Sequence, residues 1–198
     1  MTGRRPRRRV SMTSILARMT ASTRRVGLRA LGRLGRDQKG ATAVEFAFVA
    51  MPFFALMFAI IETGLMFFGD QALDSAVTDV SRQIRTGQAQ QAGMSASDFK
   101  TAICNEVVGL INCANLKVDV ETYASFSAIT LSTPPIDPNT NQPKVTENYP
   151  VTHGGDIVVV RAYYNWPLFV PVLDSYLGNN GSSLLIATAA FRNEPFSW

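Results

Sequence analysis

Few side chains in this sequence are grouped for reaction chemistry. The only histidine, His153, opens the run "HGGD", His153 to Asp156, a glycine-rich stretch of the kind that builds oxyanion loops. No nucleophile elbow accompanies it, since "GMSAS", Gly93 to Ser97, lacks the second glycine of that turn. The run reads instead as a turn ahead of a strand, with His153 exposed on it. One His and two Cys do not make a zinc site, the acids are scattered singly rather than in a calcium loop, and no glycine loop cradles phosphate. The sequence predicts no catalytic residue, no metal and no cofactor, and the chain does not read as an enzyme.

Two acids and two cysteines hold more telling positions. Glu45 stands near the head of "KGATAVEFAFVAMPFF", Lys39 to Phe54, five residues after Gly40 and directly before Phe46. A carboxylate in hydrocarbon is costly unless it reaches an interface or meets a cation. Glu45 therefore either snorkels to headgroups or neutralises a positive group. Glu62 lies seventeen residues further on, about 25 Å along a helix. It has two readings of its own, solvation at the far interface or a subunit contact. Cys104 and Cys113 either form a disulfide or stay as buried thiols, and a bridge would add roughly 2 to 3 kcal/mol. On an unbroken helix the pair would stand about 13 Å apart, so a bridge requires the helix to end or bend around Gly109.

The acids need an element to hold them. From Ala41 to Gly69 the only charges are Glu45 and Glu62, and the sixteen positions from Phe46 to Ile61 carry no polar side chain. The run makes about 43 Å of helix, of which about 24 Å is wholly apolar. This predicts a transmembrane helix over 41–69, with a kink at Pro52. The first forty residues carry twelve Lys or Arg against the single acid Asp37, a charge of +11; the whole chain carries +4, so the remainder carries −7. That asymmetry predicts a cytoplasmic N-terminus and an exported C-terminal part. It also argues against a nucleic-acid-binding domain, because the positive charge lies outside any core-forming part; only "RRPRRR", Arg4 to Arg9, retains the option of binding phosphate as a tail. A secretory signal is a poorer match, since its apolar core spans only about 7 to 15 residues. Met12 and Met19 are alternative starts.

Beyond the span, "DQALDSAVTDVSRQIRTGQ" keeps an apolar stripe at Leu73, Ala76, Val77, Val80 and Ile84, which predicts an amphipathic continuation over 70–92 with Gly87 as a C-cap. A second helix is signalled by Ser95 or Ser97 as cap and by Phe99, Ile103, Val107, Leu110 and Ile111 at helical spacing. "LKVDVETYASF" alternates as a strand whose wet face bears Lys117, Asp119 and Glu121. "DIVVVRAYYNW" and "SLLIATAAFRN" read as central or hairpin-paired strands, separated by the apolar segment "WPLFVPVL" and the turn "LGNNGSS". The Pro-rich connection 127–156 reads as an interaction surface or a mobile loop. The expected fold is α+β, with an exported head over 93–198 built from the second helix and a small antiparallel sheet.

A glycine before an apolar helix, a carboxylate five positions later and an aromatic at the sixth, behind the basic "RLGRDQK", is the pattern read by prepilin peptidases. With it, "GATAVEFAFVAMPFFALMFAIIETGLMFF" resembles the N-terminal signature of the TadE-like pseudopilins of bacterial tight-adherence (Flp-type) pilus systems, including the second acid and glycine of "IIETG". "SRQIRTGQA" and "ATAAFRNEPF" are similar to the family too, so the likeness covers 37–90 and returns at 187–196. The resemblance implies cleavage between Gly40 and Ala41 on the cytoplasmic side, removing 1–40 as a leader and making Glu45 the fifth and Phe46 the sixth mature residue. It implies a long pilin-like helix in a single pass through the bacterial inner membrane, with a periplasmic head. It implies a minor pilin-like subunit required for pilus assembly and acting by helix packing. The partners would be the prepilin peptidase, other pseudopilins, the inner-membrane platform, the lipid bilayer and, as a further option, the Flp pilin. The new amine would meet a carboxylate with an attraction of order 4 kcal/mol at about 4 Å, before desolvation is subtracted. Whether Glu45 meets its own amine or a neighbour's stays open. The rival is an uncleaved bitopic inner-membrane protein whose exported domain binds a ligand or an envelope component.

Overall fold

The computed structural model describes residues 38–107, 109–178 and 180–197. Almost all of the basic leader, with its alternative starts, lies outside them. The chain divides into two compact units, Met1–Phe54 and Ala55–Trp198, and each is described by itself.

Helix α1 runs from Gln38 to Arg85 and takes in the apolar stretch and its amphipathic continuation without a break, Pro52 included. It stops where glycine permits. Gly87 adopts a φ of +80° and donates its N–H to the Ile84 carbonyl, so the continuation ends at Arg85 and only a short turn, α2 (Gln88–Gln91), follows. Helix α3 (Ala96–Glu106) opens on a reciprocal cap: Ser95 accepts the Asp98 N–H, and the Asp98 carboxylate accepts the Ser95 N–H.

The expected disulfide is present between Cys104 and Cys113, with Cα atoms 5.9 Å apart. The geometry it needs is met because α3 ends at Glu106 and Gly109 turns the chain with a φ of +84°. Leu110 and Ile111 therefore lie past the helix rather than on it. Cys113 begins a 3-10 turn, Cys113–Asn115, in which Asn112 accepts the Ala114 N–H.

Three antiparallel strands follow, β1 (Lys117–Tyr123), β2 (Ile157–Pro167) and β3 (Ser182–Arg192), in the order β1-β2-β3. The central strand is buried along nine successive residues, which is why its sequence reads as a continuous β-branched and aromatic run. Its Val158, Val160, Ala162 and Tyr164 face the same core as Leu73, Val77, Val80 and Ile84 of α1 and Phe99 and Ile103 of α3. Between β2 and β3 the apolar segment forms a short helix, α4 (Pro171–Leu177), started by its own proline.

Two expectations need correction. Asp119 does not lie on a wet face; it is 3 % exposed, because its cross-strand partner is Arg161. The guanidinium donates to Asp119 at 3.0 Å and to the more exposed Glu121 at 3.1 Å. The Pro-rich connection is tied down at both ends of the sheet. Asn165 donates to the Asn141 carbonyl, and Asn141 donates to Ser182. Further on, Asn148 accepts the Val120 N–H and donates to Asp119, while Glu147 accepts from Lys117, Lys100 and the Val118 N–H. The segment thereby covers part of the outer edge of β1.

Removing one member of a buried ion pair strands the other, so Asp119→Ala should lower stability by about 3 kcal/mol in chemical denaturation. Glu121→Ala, at a partly exposed position, should lower it by less than about 1 kcal/mol. Burial alone would raise the Glu147 pKa, but the bonds from Lys117, Val118 and Lys100 outweigh it and hold the carboxyl below its ordinary value of 4.5. Its contribution is thus full above that value and lost as pH falls through the lowered one. Hydrogen exchange at the Val118 and Val120 amides should accelerate, beyond the intrinsic pH effect, as pH falls below 4.5, and Glu147→Gln should abolish that step.

Candidate functional site

The unit ending at Phe54 presents the residues with the telling spacing. Gly40 lies on α1, two residues after the first described residue, Gln38. It is exposed, and a Cβ added there would meet nothing within 4 Å. Glu45 is exposed, about 7.5 Å further along the axis. Among the described residues it has no hydrogen-bond or ion-pair partner. Phe46, Phe48, Val49, Met51 and Phe53 are all exposed as well. A continuous apolar surface of this kind is not stable in water. The helix is long and apolar enough to cross a membrane, with a mean hydropathy of 2.3 in its most apolar window.

In the unit beginning at Ala55 the second acid behaves differently. Glu62 is only 7 % exposed. Its carboxylate accepts the backbone N–H groups of Phe169 and Val170, the latter at 2.8 Å. Val170 is the N-cap of α4, and Pro171, the first residue of that helix, has no N–H to offer. Glu62 therefore does from another helix what the third residue of a capping box does from within: it satisfies amide donors at a helix start. One oxygen serves each amide. Glu62, read from the sequence as either solvated at the interface or in a subunit contact, has two bonds inside its own chain.

The same helix face explains how the two segments come together. Glu62, Met66, Gly69, Leu73, Ala76 and Val80 follow one another at alternating steps of four and three, and Ile84 lies four further on, a single stripe along α1. Of these, Gly69 makes the close approach: a Cβ there would lie 2.5 Å from the Trp166 ring. Trp166 also meets Tyr164 edge-on, with centroids 6.2 Å apart. The chain leaving β2 is thus fixed to α1 twice, through Trp166 at Gly69 and through Phe169 and Val170 at Glu62, two helical turns or about 10 Å apart. The sequence reading began the stripe at Leu73 and missed its first three members. The alternation of four and three, continued backwards, points to all three.

His153 sits where the sequence put it, exposed on the turn before β2, with its N–H donated to Asp156. Among the described residues no cluster of His, Cys, Asp or Glu could hold a metal ion. The arrangement offers apolar surface and placed carboxylates.

A family model described as TadE-like protein matches residues 40–82. The matched segment contains Gly40, Ala41, Glu45, Phe46 and Glu62 and most of the buried stripe. No curated protein and no solved structure matches the chain at a significant level.

Glu62→Ala would leave two amide donors without an acceptor in a buried place, and should lower stability in detergent by roughly 2 to 4 kcal/mol. Glu62→Gln, which keeps one acceptor oxygen but sets an NH2 donor against the other amide, should fall between Glu62→Ala and the wild type. Amide exchange at Phe169 and Val170 is the local readout: both should lose protection in Glu62→Ala while the amides of the β1–β2 ladder keep theirs.

Proposed function

We propose that this chain, TadE-like over residues 40–82, is a pilus-associated membrane protein that serves as a minor pilin-like subunit, a pseudopilin, in assembly of a Flp-type pilus. The observation that carries the reading is the Gly40, Glu45 and Phe46 spacing inside the matched segment, on an exposed stretch of helix that continues into an exposed apolar face. In this reading the chain enters the inner membrane with its basic residues in the cytoplasm and its head in the periplasm. A prepilin peptidase cuts between Gly40 and Ala41. The cut creates an amine at the head of α1, within reach of an exposed carboxylate.

The step that follows is packing rather than catalysis. An amine taken out of water beside other helices needs a counter-charge, and at about 4 Å a carboxylate supplies an attraction of order 4 kcal/mol before desolvation. If the amine belongs to a neighbouring subunit, Glu45 sets the axial register between the two. The partners are the peptidase, other pseudopilins and the inner-membrane platform, with the Flp pilin as a further candidate.

In cells with an active peptidase, the membrane-extracted protein should have an intact mass lacking residues 1–40 and an N-terminal Ala41. Gly40→Val should retain the leader. Because a side chain at this position meets no neighbour within 4 Å among the described residues, that loss would report recognition rather than misfolding. Glu45→Gln should still be cleaved yet fail to restore piliation. Retention of the leader in the wild type would overturn the processing step and favour an uncleaved bitopic protein.

A further inference from the structure

We infer that the segment Leu168–Leu177, carrying α4, is a membrane-docking element of the head, seated in the headgroup and acyl boundary of the leaflet that α1 leaves. The inference rests on the reading of α1 as a membrane span. Three observations converge on it.

The first is length. From Thr42 to Glu62 the helix covers about 30 Å, the thickness of a hydrocarbon core, yet the apolar run continues to Gly69, about 10 Å beyond. That excess has two faces. One, at Glu62, Met66 and Gly69, is taken by the head. The other still exposes Leu65, Phe67 and Phe68, so the helix keeps an apolar surface at the very level where the head contacts it.

The second is what the head brings to that level. Phe169 is 81 % exposed and Tyr176 82 % exposed, and Leu177 is exposed beside them. Their depth is set by the backbone, because the N–H of Phe169 is bonded to Glu62. A tyrosine ring with its polar edge is favoured at a bilayer boundary, phenylalanine and leucine form the apolar side of an interfacial element, and such an element sinks about 5–10 Å into the boundary. The excess of the apolar run is of that size.

The third is charge. From Trp166 to Leu177 the only ionisable acid or base other than Tyr176 is Asp174, and its carboxylate accepts the Gly181 N–H at 2.8 Å. No lysine or arginine of this segment has to be drawn towards lipid, and its one acid is already bonded within the head.

The test uses the full chain, with its native disulfide intact, reconstituted in phosphatidylcholine and phosphatidylglycerol vesicles. Single cysteines at Phe169→Cys and Tyr176→Cys carry a nitroxide, with Phe54→Cys in the span and Phe126→Cys on the head as references. Collision with oxygen is compared with collision with a water-soluble nickel chelate. The expected result is an oxygen-to-nickel ratio at 169 and 176 several-fold above that at 126 and below that at 54. Ratios at 169 and 176 equal to that at 126, with 54 still lipid-exposed, would overturn the docking and leave the span standing. A water-exposed label at 54 would overturn the span and the docking together. Labels at 169 and 176 shielded from both reagents, with dipolar broadening between copies, would assign the surface to a second chain and overturn the lipid assignment.

Discussion

The bond between the Glu62 carboxylate and the amides of Phe169 and Val170 is the constraint on which the arrangement of the head turns. A charged side chain taken out of water carries a penalty of several kcal/mol unless it is hydrogen-bonded. Amides at a helix start are orphan donors with the same need. Each problem is the other's solution. Their meeting fixes where along α1 the β2–β3 connection lies, and the close approach of Trp166 to Gly69 fixes it a second time. An acid suits the place better than an amide would, since two adjacent N–H groups call for two acceptor oxygens and no donor.

From that end the stripe on α1 runs down to Ile84 and becomes the wall against which the sheet folds. The sheet has its own electrostatic lock. Arg161 is buried on the central strand and is tolerable there only because Asp119 stands directly across the ladder, with Glu121 as a second acceptor. Asp119 in turn receives two bonds from Asn148, so the long connection is bound to the same centre as the strands. Helix, sheet and connection are coupled through a few polar contacts set into an otherwise apolar core.

How much of this could be read from the residues depended on whether the signal was local. The apolar run, the Gly87 stop, the Ser95 cap and the three strands each follow from neighbours within a few positions, and each lies where the sequence put it or within a few residues. The disulfide followed from the exported position of the two cysteines, on the condition that the helix stop or bend near Gly109, which it does. What escaped was pairing across the chain. Alternation alone placed Asp119 on a wet face, because nothing near it announces an arginine forty-two residues later. Glu62 looked like an interfacial acid for the same reason, its partners being two backbone amides more than a hundred residues away that have no sequence signature of their own. The Pro-rich connection looked loose because its ties, Asn141, Glu147 and Asn148, are ordinary polar residues whose partners lie on strands.

The division of labour between the two acids follows from their surroundings. Glu62 accepts two amide N–H groups inside the chain, one on each carboxylate oxygen. Glu45 lies among exposed apolar side chains and has no such partner among the described residues, and in hydrocarbon an unpaired carboxylate is the more costly of the two. In the proposed reading it gains most from a cation that arrives after synthesis. The amine that cleavage at Gly40 would create is such a cation, appearing at the end of the same helix and only when the leader has gone. In that arrangement the acid is a burden before processing and a contact after it, which ties helix packing to the cut without any further device.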